Sequence, residues 1–137
     1  MTPEDMAALH ARAFAGQGRG WSAVEIGALL QSAPVLAVTG VHGFALLRVV
    51  VGEAELLTIA TDPACRRHGV ARDVLKRGEA AARARGAGRI VLEVARDNVA
   101  ARGLYDSAGY QVIACRAAYY GRPDGRRVDA LLLEKPL

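Results

Sequence analysis

Cysteine is scarce in this chain: Cys65 and Cys115 are the only two in 137 residues. Two thiols make no disulfide framework, and no histidine stands near either at metal-ligand spacing, so no metal is expected. The histidines, His10, His42 and His68, likewise fit no triad or metal spacing, although His68 has the position to line a phosphate group. Long apolar runs are also missing, because Val35 to Val51 is interrupted by Thr39, Gly40, His42, Gly43 and Arg48. A bilayer span needs about 20 apolar residues, so no membrane partner is expected. The first residues carry Glu4 and Asp5 and lack the basic-then-apolar order of a signal peptide, which makes a cytoplasmic location the expectation. No Gly-Lys-Ser/Thr follows a glycine loop and no three spaced glycines occur, which sets aside P-loop and dinucleotide fingerprints.

Hydrophobic residues make up 52% and charged residues 23% of the chain, a globular composition at a length that suits one domain over 1–137. The net charge of +4 comes mostly from scattered arginines. With no nucleic-acid reader motif beside them, nucleic acid is not expected as the main partner, and a phosphate-bearing cofactor accounts for part of the charge.

Helical spacing runs from Thr2 to Phe14, with Thr2 as N-cap and Pro3 at the first helical position. Ser22 caps a second helix to about Gln31, with Glu25 at the capping-box position. Val35 to Val38, Gly43 to Val51 and Ala54 to Thr61 read as strands rich in branched residues, and Asp62-Pro63 ends the third. From Gly69 to Arg85 the period is helical, with Val70, Val74, Gly78, Ala81 and Ala82 on one side and Arg72, Asp73, Lys76, Glu79 and Arg83 on the other. A strand at Arg89 to Ala95, a helix at Asn98 to Ala108 and strands at Tyr110 to Tyr119 and Arg127 to Glu134 complete the order ααβββαβαββ. That order predicts an α/β (α+β) fold, a mixed sheet with helices on both faces.

Leu57 to Arg72 holds the most informative local pattern. A strand passes through Asp62-Pro63 into Arg66-Arg67-His68-Gly69-Val70-Ala71 and straight into a helix. Gly69 permits a tight turn, Ala71 keeps the surface low, and the free N–H groups of the first helical turn lie at positive potential. Such a turn suits a diphosphate, with Arg66, Arg67 and Arg72 adding charge. The same residues would also serve as a solvated loop before an amphipathic helix, and both readings stay open.

Glu93 is the second anomaly. In Ile90-Val91-Leu92-Glu93-Val94-Ala95 its neighbours on both strand faces are apolar, which predicts a partly buried carboxylate suited to general-base work on an amine. A strand-end glutamate reaching solvent or an arginine is the alternative. Asn98 and Tyr105 lie seven residues apart, so they share one stripe of a helix and can touch one ligand. A helix cap and a core aromatic are their plain alternatives.

Arg66-x-x-Gly69-x-Ala71 after a strand resembles the acetyl-CoA-binding motif of GNAT superfamily acetyltransferases. Leu92 to Asn98, Leu104 to Tyr110, Tyr119-Tyr120 and Gly125 to Ala130 resemble later motifs of one branch, the bacterial ribosomal-protein-alanine N-acetyltransferases. The resemblance runs from about Glu53 to Leu137. Phe14 and Trp21-Ser22 resemble the branch's start weakly, and Ala15 to Gly20 looks like an insertion. The resemblance implies a GNAT-like, mostly antiparallel sheet and transfer of acetyl from acetyl-CoA to an amine, foremost the N-terminus of a ribosomal protein. It implies Glu93 as base acting through water, Tyr105 as the acid that protonates the CoA thiolate, and Asn98 as a CoA contact. A backbone N–H among Ile59, Ala60 and Thr61 would hold the developing oxyanion, and Arg66, Arg67, His68, Gly69, Val70, Ala71 and Arg72 would cradle the phosphates. The transfer would be direct, because Cys65 sits on the phosphate loop away from the expected thioester. A small-molecule amine as acceptor and a CoA-binding module without chemistry are the alternatives.

Overall fold

The computed structural model of the chain describes every residue except Gly16, Gly18, Arg19 and Arg67. Helices α1 (Pro3–Ala13) and α2 (Ala23–Leu30) precede strands β1 (Val35–Thr39), β2 (Gly43–Val50) and β3 (Glu53–Thr61); α3 (Val70–Ala84), β4 (Arg89–Ala95), α4 (Val99–Ser107), β5 (Gln111–Gly121) and β6 (Arg127–Pro136) follow. This is the order expected from the sequence. Half of the expected insertion at Ala15 to Gly20 lies outside the description, as does Arg67.

Both N-terminal helices begin with complete capping boxes. Thr2 accepts from the Asp5 amide while Asp5 accepts from the Thr2 amide, and Ser22 and Glu25 do the same. Each cap contributes about 1 kcal/mol and fixes where its helix starts.

The strands form one six-stranded sheet in the order β1-β2-β3-β4-β6-β5. Only β3 and β4 run parallel, and their pairing extends from Glu53–Glu55 against Arg89–Val91. Beyond it the two strands part. From Leu92 onward β4 keeps only its pairing with β6, and from Leu56 onward β3 keeps only its pairing with β2. A wedge therefore opens in the middle of the sheet.

A bulge in β3 sets the direction of that opening. Leu46 of β2 faces Thr58 while the next residue, Leu47, faces Leu56, which leaves Leu57 as the extra residue. An inserted residue bends its strand and reverses the alternation of side chains. Before the bulge Ala54 and Leu56 pack in the core beneath α3 and α4, together with Leu47, Val74, Leu92 and Tyr105. After it Ala60 joins the other core, with Met6, Leu9, Ile26 and Phe44 beneath α1 and α2. The result is three layers with the sheet in the middle.

Gly43 explains how closely α3 approaches. A Cβ there would lie 2.8 Å from Val70 Cγ1 and 2.9 Å from the Ala60 carbonyl oxygen, so no side chain fits between β2 and the start of α3.

One residue of α3 departs from the expected pattern. Glu79, assigned to the polar side, is 5% exposed. Its carboxylate accepts from the Tyr110 hydroxyl at 2.7 Å and from Lys135 Nζ at 2.9 Å. Burial is tolerated because both oxygens are satisfied.

Among the described residues no helix is long and apolar enough to cross a membrane.

Candidate active site

The wedge between β3 and β4 is flanked by two adjoining cavities. The larger, of about 690 Å³, lies between the β3–α3 turn and α4, and the smaller, of about 290 Å³, lies under the end of α1 and between the parted strands. Phe14, Gln17, Ile59, Asn98, Ala101 and Tyr105 line both, so the two form one continuous cleft.

Ile59, Ala60, Thr61, Arg66, Gly69, Val70, Ala71, Arg72 and Asn98 all line the larger cavity, as does Cys65. Gly69 adopts φ 76°, the left-handed region that glycine enters without penalty, and no side chain caps α3. The amides of Val70, Ala71 and Arg72 therefore keep their donors for a ligand, at the positive end of the helix dipole. The two described arginines are already anchored: Arg66 donates to the Ala13 carbonyl at 3.1 Å and Arg72 to Ser107 Oγ at 3.0 Å. His68, expected beside the phosphates, is exposed and lines neither cavity. The turn carries it outward.

Glu93 lines the smaller cavity with Thr58, His10, Trp21, Tyr120 and Arg122. Its side chain retains 29% of its accessible surface, and Oε1 lies 3.3 Å from Arg116 Nε. Glu93 is exposed as a residue, and its carboxylate faces a guanidinium, which is the alternative that the strand pattern left open. Arg122 is locked in place by Asp97, with contacts of 2.7 and 3.0 Å, and its guanidinium stands 5.8 Å from the centre of the Tyr120 ring.

Asn98 caps α4, its side chain accepting from the Ala101 amide at 3.2 Å, and also lies on the walls of both cavities. Tyr105 is 5% exposed and packs 5.5 Å from Tyr110, yet it borders both cavities too. Burial pushes its phenol above the ordinary value of 10.0, so it stays protonated at neutral pH.

Sequence reasoning passed over several wall residues. Phe14 caps the end of α1 and Gln17 follows it, Arg122 comes from the turn after β5, and His10 from α1 itself. His10 is 5% exposed, its ring stacks on Phe14 at 4.4 Å and on Trp21 at 5.3 Å, and Nε2 lies 3.1 Å from Thr58 Oγ1. No local spacing signals this group, because Thr58 is 48 residues away.

The uncapped start of α3 thus follows a strand that is bulged and parted from its neighbour. The family model for the GNAT acetyltransferases matches residues 6–110, and the chain belongs to that family. It is 38% identical over 90 residues to a ribosomal protein bS18-alanine N-acetyltransferase of Haemophilus ducreyi, a match covering 66% of this chain and 62% of the relative. A protein of the same name from Escherichia coli K12 is 38% identical over 94 residues, covering 69% and 63%. The matched stretches thus span less than two thirds of these curated relatives. The crystal structure of the E. coli ribosomal-protein-S18-alanine N-acetyltransferase superposes with a TM-score of 0.83 at 32% identity, covering 95% of this chain and 84% of that one. Chaetomium thermophilum Naa20, crystallised with a bisubstrate analogue, shares the fold at a TM-score of 0.81 and 22% identity, over 100% of this chain and 84% of that one.

Proposed function

We propose that the chain is an acetyl-CoA-dependent N-acetyltransferase that moves acetyl directly to an amine, foremost the N-terminal α-amine of a ribosomal protein. The observation that carries this is the continuous cleft, with an uncapped helix N-terminus at one end and a carboxylate at the other. The larger cavity suits CoA: the amides of Val70, Ala71 and Arg72 would receive the diphosphate beside the Arg66 and Arg72 side chains. Ile59, Ala60, Val70 and Leu104 offer apolar walls for the pantetheine arm.

Glu93 would accept the ammonium proton, directly or through water. An α-amine, with a reference pKa of about 7.7 to 8.0, gives up that proton far more readily than a lysine near 10.4, which favours a protein N-terminus over a side chain. The amine nitrogen then forms its bond to the acetyl carbon as the carbon–sulfur bond breaks, and Tyr105 supplies a proton to the sulfur. The surplus proton of the acylated nitrogen leaves to solvent, from which the phenolate is reprotonated. Past Glu55, alternate N–H groups of β3 point into the wedge, where no strand partner takes them among the described residues. One of them, between Ile59 and Thr61, would hold the negative charge on the acetyl oxygen. The relatives named for bS18-alanine N-acetylation support the choice of acceptor.

The test is intact-mass analysis after incubation with acetyl-CoA and a panel of N-terminal peptides, with an alanine-first ribosomal peptide among them. A gain of one acetyl group on that peptide is the expected result. Labelling of small amines alone would reject the peptide acceptor, and no labelling with no calorimetric binding of CoA would reject the enzyme.

A further inference from the structure

His10 Nδ1 is the single described buried side-chain nitrogen or oxygen without a hydrogen-bond partner. An orphan of this kind costs about 1–3 kcal/mol and calls for a reason. The ring is held by its stacking between Phe14 and Trp21, and a side chain at Gly20 would meet Nδ1 at 3.8 Å. Burial lowers the His10 pKa below 6.5, so the imidazole is neutral near pH 7 and carries one N–H.

The position of that one proton decides what Thr58 can do. If it sat on Nδ1, a buried N–H would be orphaned and Thr58 would spend its own hydrogen on Nε2. With the proton on Nε2, the ring donates to Thr58 Oγ1 and leaves only a lone pair unmatched, the less unusual of the two defects. The Thr58 hydroxyl hydrogen is then unspent. Thr58 follows the bulge, is 9% exposed, and lines the same 290 Å³ cavity as Glu93.

A donor and a carboxylate in one small cavity match a ligand with an amine and a carbonyl a few bonds apart. We propose that Thr58 donates a hydrogen bond to the first backbone carbonyl of a peptidyl acceptor, and that His10 is the positioning residue that aims it. The inference rests on the peptide-acceptor function and adds a reason for it: a polyamine offers no carbonyl at that place.

The experiment uses the full chain, acetyl-CoA, an alanine-first peptide and propylamine as an acceptor without the carbonyl. Thr58→Val should raise the peptide KM about tenfold with kcat nearly unchanged, because a contact equal in ground and transition states is lost. The KM for acetyl-CoA and turnover of propylamine should not move. Thr58→Ser should restore the peptide KM, and His10→Leu should repeat the Thr58→Val effect without adding to it in the double variant. Nitrogen-15 shifts of His10 in the unaltered protein should report the neutral Nε2–H form. An Nδ1–H form, or a Thr58→Val variant with an unchanged peptide KM, overturns the inference while leaving the peptide-acceptor function intact. If the unaltered protein acetylates no peptide, both fail together.

Discussion

Arg116 reaches across the whole width of β6 to place Nε 3.3 Å from Glu93 Oε1, although β5 and β4 share no backbone pairing. The edge strand thus brings a cation to Glu93. Glu93→Gln should lower kcat about a hundredfold, the usual contribution of a positioned base, with CoA affinity unchanged. Arg116→Ala should change kcat only a few-fold, because its side chain is 62% exposed and the pair is screened by solvent. Steady-state kinetics with calorimetric CoA binding separate the two effects.

Tyr105→Phe removes one hydroxyl from a packed ring. Its expected outcome is a kcat lowered by about tenfold to a hundredfold and an unchanged CoA dissociation constant, if the phenol delivers the proton to sulfur. Equal kcat for the two proteins would remove Tyr105 from the chemistry.

Stability should fall in alkali for a stated reason. Burial holds Tyr105 and Tyr110 above their ordinary 10.0, and the Glu79 carboxylate raises Tyr110 further. The native state therefore keeps protons that the unfolded chain releases first. This contribution is complete below about pH 10 and is lost as the pH rises through the raised native values. Urea midpoints measured from pH 8 to 11 should decline above about 10, and less steeply in Tyr110→Phe.

Gly69→Ala should cost about 1–2 kcal/mol, since an L-residue is placed at φ 76° with no neighbour within 4 Å to clash. The penalty is conformational, so relaxation of the turn should also weaken CoA binding. Urea denaturation and calorimetry on one preparation read both.

Lys135→Met leaves the Glu79 carboxylate with Tyr110 as its remaining partner. A hydrogen bond to a charged group contributes about 1.5–3 kcal/mol, and the urea midpoint should fall accordingly while the kinetics stay unchanged.

Much of this was legible in the sequence because it is encoded locally. Thr2 and Ser22 announce their helices through carboxylates three residues on, and Gly69 announces a turn no larger residue favours. What escaped depends on partners far along the chain. Glu79 looked like a solvated charge because Tyr110 and Lys135, which make its burial tolerable, lie 31 and 56 residues away. His10 looked like an isolated histidine because its stacking partners and Thr58 meet only once α1 lies on the sheet.

The leucine doublet at 56 and 57 is the one local sign of the bulge in β3. By adding a peptide unit it puts the strand half a period out of phase with itself, so that its first half anchors the coenzyme-side helices and its second half the acceptor-side ones. Removing Leu57 would leave Thr58 opposite Leu46 and on the same face, and would take away the kink at which β3 turns from β4. A more regular sheet would be a closed one, with nowhere for the two substrates to meet.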